Sequence, residues 1–404
     1  MSFACQKDSY LTHLDSVVKS CTPSKIITLK EGKKIKLEGF DVILEDTVLF
    51  PEGGGQPDDH GKINGIEVHQ VIRKGSEAIH FLKEPLKEGE KVDIQVDWKR
   101  RWDNMQQHSG QHLITAIADK IYGFKTTSWS MGEKISFIEL DVPKIKEEEL
   151  KIIEEETNSC IRKGLKMFPT WYESINDPKF QEVRTRGLPD DHKGSIRVVT
   201  IEGIDNNTCC GTHVSNLSHL QAIKLLSTTK GKKGKTNVYF LVGQRVLDFV
   251  EFSYSQQEKF KSYLKGSPEQ HVELLEVLQK NYVTASKENS NLLKDIAKLE
   301  ADKWKREPCK FLSLHRTEGQ LDFMNTLLRE IDDENLIAFL TTGNENGQGS
   351  YMIVGPESFL KDVAPSMSSL IEGKGFLKNN RFQGKANKLS KRKEAEDVLR
   401  EKLK

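Results

Sequence analysis

The chain has 404 residues, 36% of them hydrophobic and 30% charged, a length that suits two or three domains and a composition that excludes a disordered or fibrous chain. Lys and Arg number 61 against 60 Asp and Glu, and a net charge of +1 excludes a uniformly basic nucleic-acid coat. No apolar run reaches the roughly 18 residues of a membrane span, and the first residues lack a charged lead before an apolar core, so no membrane contact and a cytoplasmic site are expected.

Residues 1–100 alternate apolar and polar positions over 35–49, 63–72 and 92–98, with Gly and Pro between them, which predicts short strands closing a small β-barrel. The period changes to helical over 102–121, where Ile114, Ile117, Ala118 and Ile121 share a stripe and Gly123 supplies a C-terminal stop. A strand over 136–140, an acidic amphipathic helix over 145–164 and strands over 196–201, 220–226 and 238–242 complete an α+β domain spanning 101–243.

A helix is expected over 246–264, then a break at Lys265 to Pro268, with Ser267 as N-cap and Gln270 completing a capping box. Leu275, Leu278, Tyr282, Ala285, Asn289, Leu292, Ile296 and Leu299 then recur at spacings of three and four, a narrow seam along one helix. The short break favours a helical hairpin within the chain over 244–305 and hence a monomer, with an intermolecular coiled coil as the other possibility. Residues 306–404 alternate strand and helix patterns as a small C-terminal α/β domain, so the fold class expected for the whole chain is α+β. Its end, from Lys374, carries eleven Lys or Arg against four acids and suggests a basic tail.

Six cysteines at irregular spacing make no disulfide framework, and attention falls on Cys209 and Cys210. Two pairs carry the sharpest chemical signal: His108 with His112, and Cys209 with His213. Histidines four apart share a helical face, and Gly211 allows the turn that aims Cys209 and His213 at one point. His108 and His112 alone would be surface or half-buried helix histidines; the two pairs together offer one thiolate and three imidazoles, a set that suits one tetrahedral zinc ion per chain. Cys210 should point the opposite way and pack as a small residue. A second feature is the run Gly53-Gly54-Gly55-Gln56, either a flexible hairpin turn or a loop whose backbone approaches a ligand while Gln56 meets a water or a ribose hydroxyl.

These residues resemble the alanyl-tRNA editing family, the editing half of alanyl-tRNA synthetase and its freestanding AlaX relatives, in which an HxxxH and a later CxxxH ligate zinc. The strand from Arg197 leading into Cys209-Cys210-Gly211-Thr212-His213, the glycine-rich loop from Phe50 to Gly61 and the segment from Glu372 to Lys385 extend the likeness along most of the chain. The resemblance implies hydrolysis of the ester joining serine or glycine to the 3′ end of tRNA(Ala). An alanine pocket rejects such close neighbours poorly, so a second, hydrolytic site is needed. It implies catalytic roles for Gln56 and Thr127, the latter bonding the seryl hydroxyl, and substrate contacts from Gly54, Gly55, Thr126 and Ser128. Zinc either activates water or shapes the pocket while Gln56 and nearby backbone position the water. Lys99 to Arg101, the lysines of 230–235 and the basic end are candidate phosphate contacts. The alternative is an RNA- or partner-binding protein that keeps the editing fold without hydrolysis.

Overall fold

A computed structural model describes residues 2–30, 33–185 and 194–404, which fall into two compact units, Met1–Glu258 and Lys259–Lys404. The chain is of mixed α+β class. In the first unit a one-turn helix, α1 (Ala4–Lys7), precedes β1 (His13–Lys30), β2 (Lys33–Leu44), β3 (Gly61–Ile63), β4 (Ile66–Lys74), β5 (Glu77–Leu82) and β6 (Lys91–Val96). These pair antiparallel in the order β1-β2-β5-β4-β3-β6, and β6 returns to β1 to close a barrel around Val18, Val42, Ile63, Val71 and Ile94. The span 63–72 divides into β3 and β4 because Asn64 and Gly65 both take positive φ, 48° and 82°, and reverse the chain.

The barrel gives way to α2 (Trp98–Tyr122), which starts before the apolar stripe at 102: the Asp97 carboxylate accepts from the Arg100 N–H. Gly123, at φ 70°, ends it in the left-handed conformation. α2 is buried almost continuously from Arg101 to Ala118. Around it lie β7 (Thr126–Ser130), β8 (Ser136–Leu140), α3 (Glu147–Lys163), β9 (Met167–Tyr172), β10 (Ile196–Ile201), β11 (Asp205–Thr208), β12 (Ile223–Lys230) and β13 (Thr236–Val242). The strands make a four-stranded sheet, β12-β13-β8-β7, and a three-stranded one, β11-β10-β9, that share a core of Leu113, Ile117, Ile138, Val199, Leu217 and Phe240. The chain continues through α4 (Gln244–Leu264).

In the second unit the Ser267 N–H donates to Gln270 Oε1 at 3.1 Å, as the capping box requires, and α5 (His271–Arg306) follows. Its heptad seam is open: Leu275, Leu278, Tyr282, Leu292 and Leu299 are exposed, whereas Ala297 and Ala301 are buried. Spacing fixes that an apolar stripe exists, not what covers it. The rest comprises β14 (Phe311–Arg316), α6 (Leu321–Ile331), β15 (Ile337–Gly343), β16 (Gly349–Val354), α7 (Glu357–Leu370), β17 (Lys374–Lys378), β18 (Arg381–Ala386) and α8 (Arg392–Lys402). The five strands form one sheet, β14-β15-β16-β18-β17, with β14 and β15 parallel. Successive residues serve opposite faces: Ala338, Leu340 and Met352 join Ala297 and α6, while Phe339, Tyr351 and Ile353 join α7 and α8. The basic end is thus folded structure, and four of its eleven cations stand in ion pairs, Arg392 and Arg400 with Glu396, Lys402 with Asp362 and Lys388 with Glu372. No helix among the described residues is long and apolar enough to cross a membrane.

Candidate functional site

The two predicted pairs meet. His108 and His112 lie one turn apart on the buried face of α2, with ring centroids 5.1 Å apart, and the segment after β11 brings Cys209 and His213 against them. The ligand atoms of all four lie within 4.8 Å of one another. Cys209 Sγ is 3.4 Å from His108 Nε2 and 3.2 Å from His213 Nε2. Zinc bonds of about 2.3 Å to sulfur and about 2.0 Å to nitrogen give tetrahedral edges of roughly 3.3–3.6 Å, so these separations fit the ion. The cluster can hold a metal ion, and one thiol with three imidazoles is a borderline-soft donor set.

The surroundings fix which nitrogens face the cluster. His108 Nδ1 is 2.8 Å from Gln56 Oε1, and that oxygen also receives the Thr212 N–H at 3.0 Å, which identifies it as the acceptor and puts the imidazole proton on Nδ1. His108 Nε2 is thereby left as a free lone pair aimed at Cys209. The Gln56 amide nitrogen donates to Thr212 Oγ1 at 2.8 Å, so Gln56 is held from both ends and is fully buried. On the other side His213 Nδ1 lies 3.2 Å from Ser109 Oγ, whose oxygen accepts the Val214 N–H at 3.0 Å. Gly211 allows this approach: a Cβ there would stand 2.3 Å from the His108 ring and 2.7 Å from Gln56 Oε1.

Burial disfavours the charged forms of Cys209, His108 and His213. Burial pushes the Cys209 thiol up to about 12, with the neighbouring Cys210 adding to the rise and Arg197 opposing it. Burial holds His108 and His213 well below the usual imidazole range, reinforced by the other imidazoles of the cluster. Arg197 donates to the Cys209 carbonyl at 2.7 Å and to the Gln6 carbonyl at 3.1 Å, fixing the cysteine backbone against α1.

The cluster borders a cavity of about 1050 Å³. Gly53, Gly54 and Gly55 form part of its wall, and the two positive-φ glycines sit tightly: a Cβ on Gly54 would come 3.1 Å from Cys210 Sγ, and one on Gly55 2.8 Å from the Trp129 ring. Cys210 thus faces the glycine loop and packs on the barrel core. Gln56 does not line the cavity, and its side chain serves His108 and Thr212 in place of the water expected of it.

Thr126, Thr127 and Ser128 all border the cavity on β7. The β7–β8 pairing shifts register between Thr126 and Ser128, leaving Thr127 as the bulged residue, and its hydroxyl donates to Glu139 Oε1 at 2.6 Å. Thr126 Oγ1 instead lies 3.0 Å from Thr115 Oγ1, which receives a hydrogen bond from Gln111 at 2.8 Å. Sequence reasoning missed Gln111 and Thr115, although their spacings of three and seven from His108 put them on the same face of α2.

Of the expected phosphate contacts, Arg101 is excluded. It is fully buried in an ion pair with Asp59, donates to the Val48 and Ser9 carbonyls, and so fastens the loop before β3 to the start of α2. Arg100 pairs with Asp58 and Lys235 with Glu139, leaving Lys99, Lys230, Lys232 and Lys233 exposed.

Residues 196–239, which carry Cys209 and His213, match the family described as the threonyl and alanyl tRNA synthetase second additional domain. Along its length the chain is 48% identical to the alanyl-tRNA editing protein Aarsd1 of Danio rerio, covering 99% of this chain and 98% of that one. It is 49% identical to the Mus musculus protein of the same name, with the same coverage. The chain belongs to the alanyl-tRNA editing proteins. A more distant member, AlaX-L of Pyrococcus horikoshii, is 32% identical over 248 residues, 60% of this chain and 58% of that one.

Proposed function

We propose that the chain is a trans-acting aminoacyl-tRNA hydrolase that cleaves the ester joining serine, or glycine, to the 3′ end of tRNA(Ala), with one zinc ion held by His108, His112, Cys209 and His213. The observation that carries this reading is the convergence of one thiol and three imidazoles on the wall of a cavity large enough for an aminoacyl-adenosine end. When bound, zinc supplies a Lewis-acidic centre in that wall.

The chain's own residues do the rest. Gln56 is a positioning residue: it holds the His108 tautomer and leaves Nε2 bare for the metal. Gly54 and Gly55 let the loop backbone lie against Cys210 and Trp129 and so shape the face that receives the substrate. The hydroxyl relay Gln111–Thr115–Thr126, beside the histidines on α2 and continuing onto β7, reads the seryl hydroxyl, whereas Thr127 is engaged by Glu139 and Ser128 lines the cavity. This bond separates serine from alanine, because a site built to bond a hydroxyl leaves its own polar groups unpaired with an analogue that lacks it; by the same argument glycine is released more slowly than serine. Arg73, which lines the cavity and lies over the Phe3 ring at 5.7 Å, is placed for the phosphate that joins the last two nucleotides.

The test is hydrolysis of Ser-tRNA(Ala), Gly-tRNA(Ala) and Ala-tRNA(Ala) by the purified chain. Release of serine or glycine with Ala-tRNA(Ala) spared supports the reading. Inertness toward all three, with tRNA still bound, would favour an RNA-binding protein that keeps the fold.

A further inference from the structure

The long first hairpin does more than close the barrel. β1 pairs with β6 only through His13 to Val17, and β2 pairs with β5 only from Phe40 to Ile43. Beyond those contacts, from Ser24 opposite Gly39 to Lys30 opposite Lys33, the strands pair with each other alone. Six residue steps at about 3.4 Å make a ribbon of roughly 20 Å projecting past the last barrel pairing. Gly39 marks its root, where a Cβ would collide with the Leu82 carbonyl at 2.2 Å.

The two faces of the ribbon differ. One gathers the cross-strand pair Ile26 and Leu37 with Thr28 and Ile35, all partly buried. The other carries Lys25 opposite Glu38, Ile27 opposite Lys36, and Lys34 two residues from Lys36. Lys25 is neutralised by Glu38 at 2.6 Å. Lys34 and Lys36 are exposed, and neither is paired with a carboxylate among the described residues. Between residues 24 and 39 the sequence holds five lysines against two glutamates, a local excess in a chain of net charge +1.

We infer that this ribbon is an RNA-contacting arm, with Lys34 and Lys36 lying on the phosphate backbone of the tRNA substrate; the inference rests on the proposed tRNA hydrolase function. Charge decides the occupant. Lysines along the open outer edge of a strand oppose the addition of another protein strand, while the same unneutralised charges attract a polyanion. Two-stranded ribbons are an established way of presenting side chains to a nucleic-acid surface.

The experiment uses the full chain, Lys34→Glu/Lys36→Glu and Lys34→Arg/Lys36→Arg. Affinity for uncharged tRNA(Ala) is measured across a salt series, and steady-state deacylation is measured in parallel. The glutamate pair should weaken binding and raise KM about tenfold, reduce the slope of log K against log salt by about two, and leave kcat unchanged. The arginine pair should match the wild type. Unchanged affinity and slope in the glutamate variant would overturn the inference and return the ribbon to a protein partner. A fall in kcat that arginine does not rescue would overturn it in favour of a structural role. Should the wild type hydrolyse no tRNA, the functional reading fails, while the binding series still decides the ribbon.

Discussion

His108 Nδ1 and Gln56 Oε1 stand 2.8 Å apart, so the glutamine beside the glycine-rich loop orients an imidazole of the candidate metal cluster from behind. Outer-shell partners of this kind tune metal affinity. Gln56→Leu should therefore weaken zinc binding by about 10–100-fold, read by competition with a chelator, and lower deacylation in proportion to the metal lost. A variant that binds zinc as tightly as the wild type yet hydrolyses nothing would instead place Gln56 at the reacting ester.

The register shift in β7 sends two adjacent threonine hydroxyls to different partners, Thr126 to Thr115 and Thr127 to Glu139. Thr126→Val should reduce the preference for Ser-tRNA(Ala) over Ala-tRNA(Ala) by tenfold or more, the order expected when a hydroxyl-reading group is lost. Thr127→Val should change that ratio little, because its hydroxyl already donates to Glu139. The ratio of kcat/KM values for the two charged tRNAs is the readout.

Arg101 and Asp59 form a fully buried pair, and Asp59 Oδ2 also accepts the Phe50 N–H at 2.7 Å. Removing one partner strands a buried charge, so Arg101→Met should lower stability by about 3–5 kcal/mol in urea unfolding. Arg101→Met/Asp59→Leu should recover part of that loss, since no charge is then left unpaired.

His80 is fully buried in the barrel, its Nε2 2.8 Å from Thr47 Oγ1 and its Nδ1 3.1 Å from the Val42 carbonyl. Burial pushes its pKa down from 6.5 to about 4. In the unfolded chain the imidazole takes its proton near pH 6.5, so this contribution to stability is fully present above that pH. It is lost as pH falls toward 4, by about 3 kcal/mol in all. His80→Gln should flatten the fall in unfolding free energy between pH 6.5 and pH 4.

The candidate metal site was legible because both of its halves are local spacings: one helical turn fixes His108 and His112, and one tight turn fixes Cys209 and His213. What joins sites distant in sequence was not. Arg101 looks like a surface cation until Asp59, 42 residues earlier, is seen beside it in the core. Which threonine faces the relay depends on a bulge, and nothing in Thr126-Thr127-Ser128 announces one. The ribbon escaped notice because β1 from Lys19 to Lys30 is rich in Lys, Ser and Thr and carries little apolar alternation. The seam of α5 was plain as a stripe, yet its exposure follows from tertiary packing that spacing does not encode.

Metal content and mischarged-tRNA hydrolysis measured together on the wild type and Cys209→Ala test the account most directly. The wild type should carry one zinc per chain and release serine from Ser-tRNA(Ala); Cys209→Ala, with its circular dichroism preserved, should lose both. Serine release at the wild-type rate from folded, zinc-free Cys209→Ala would contradict the assignment of the site.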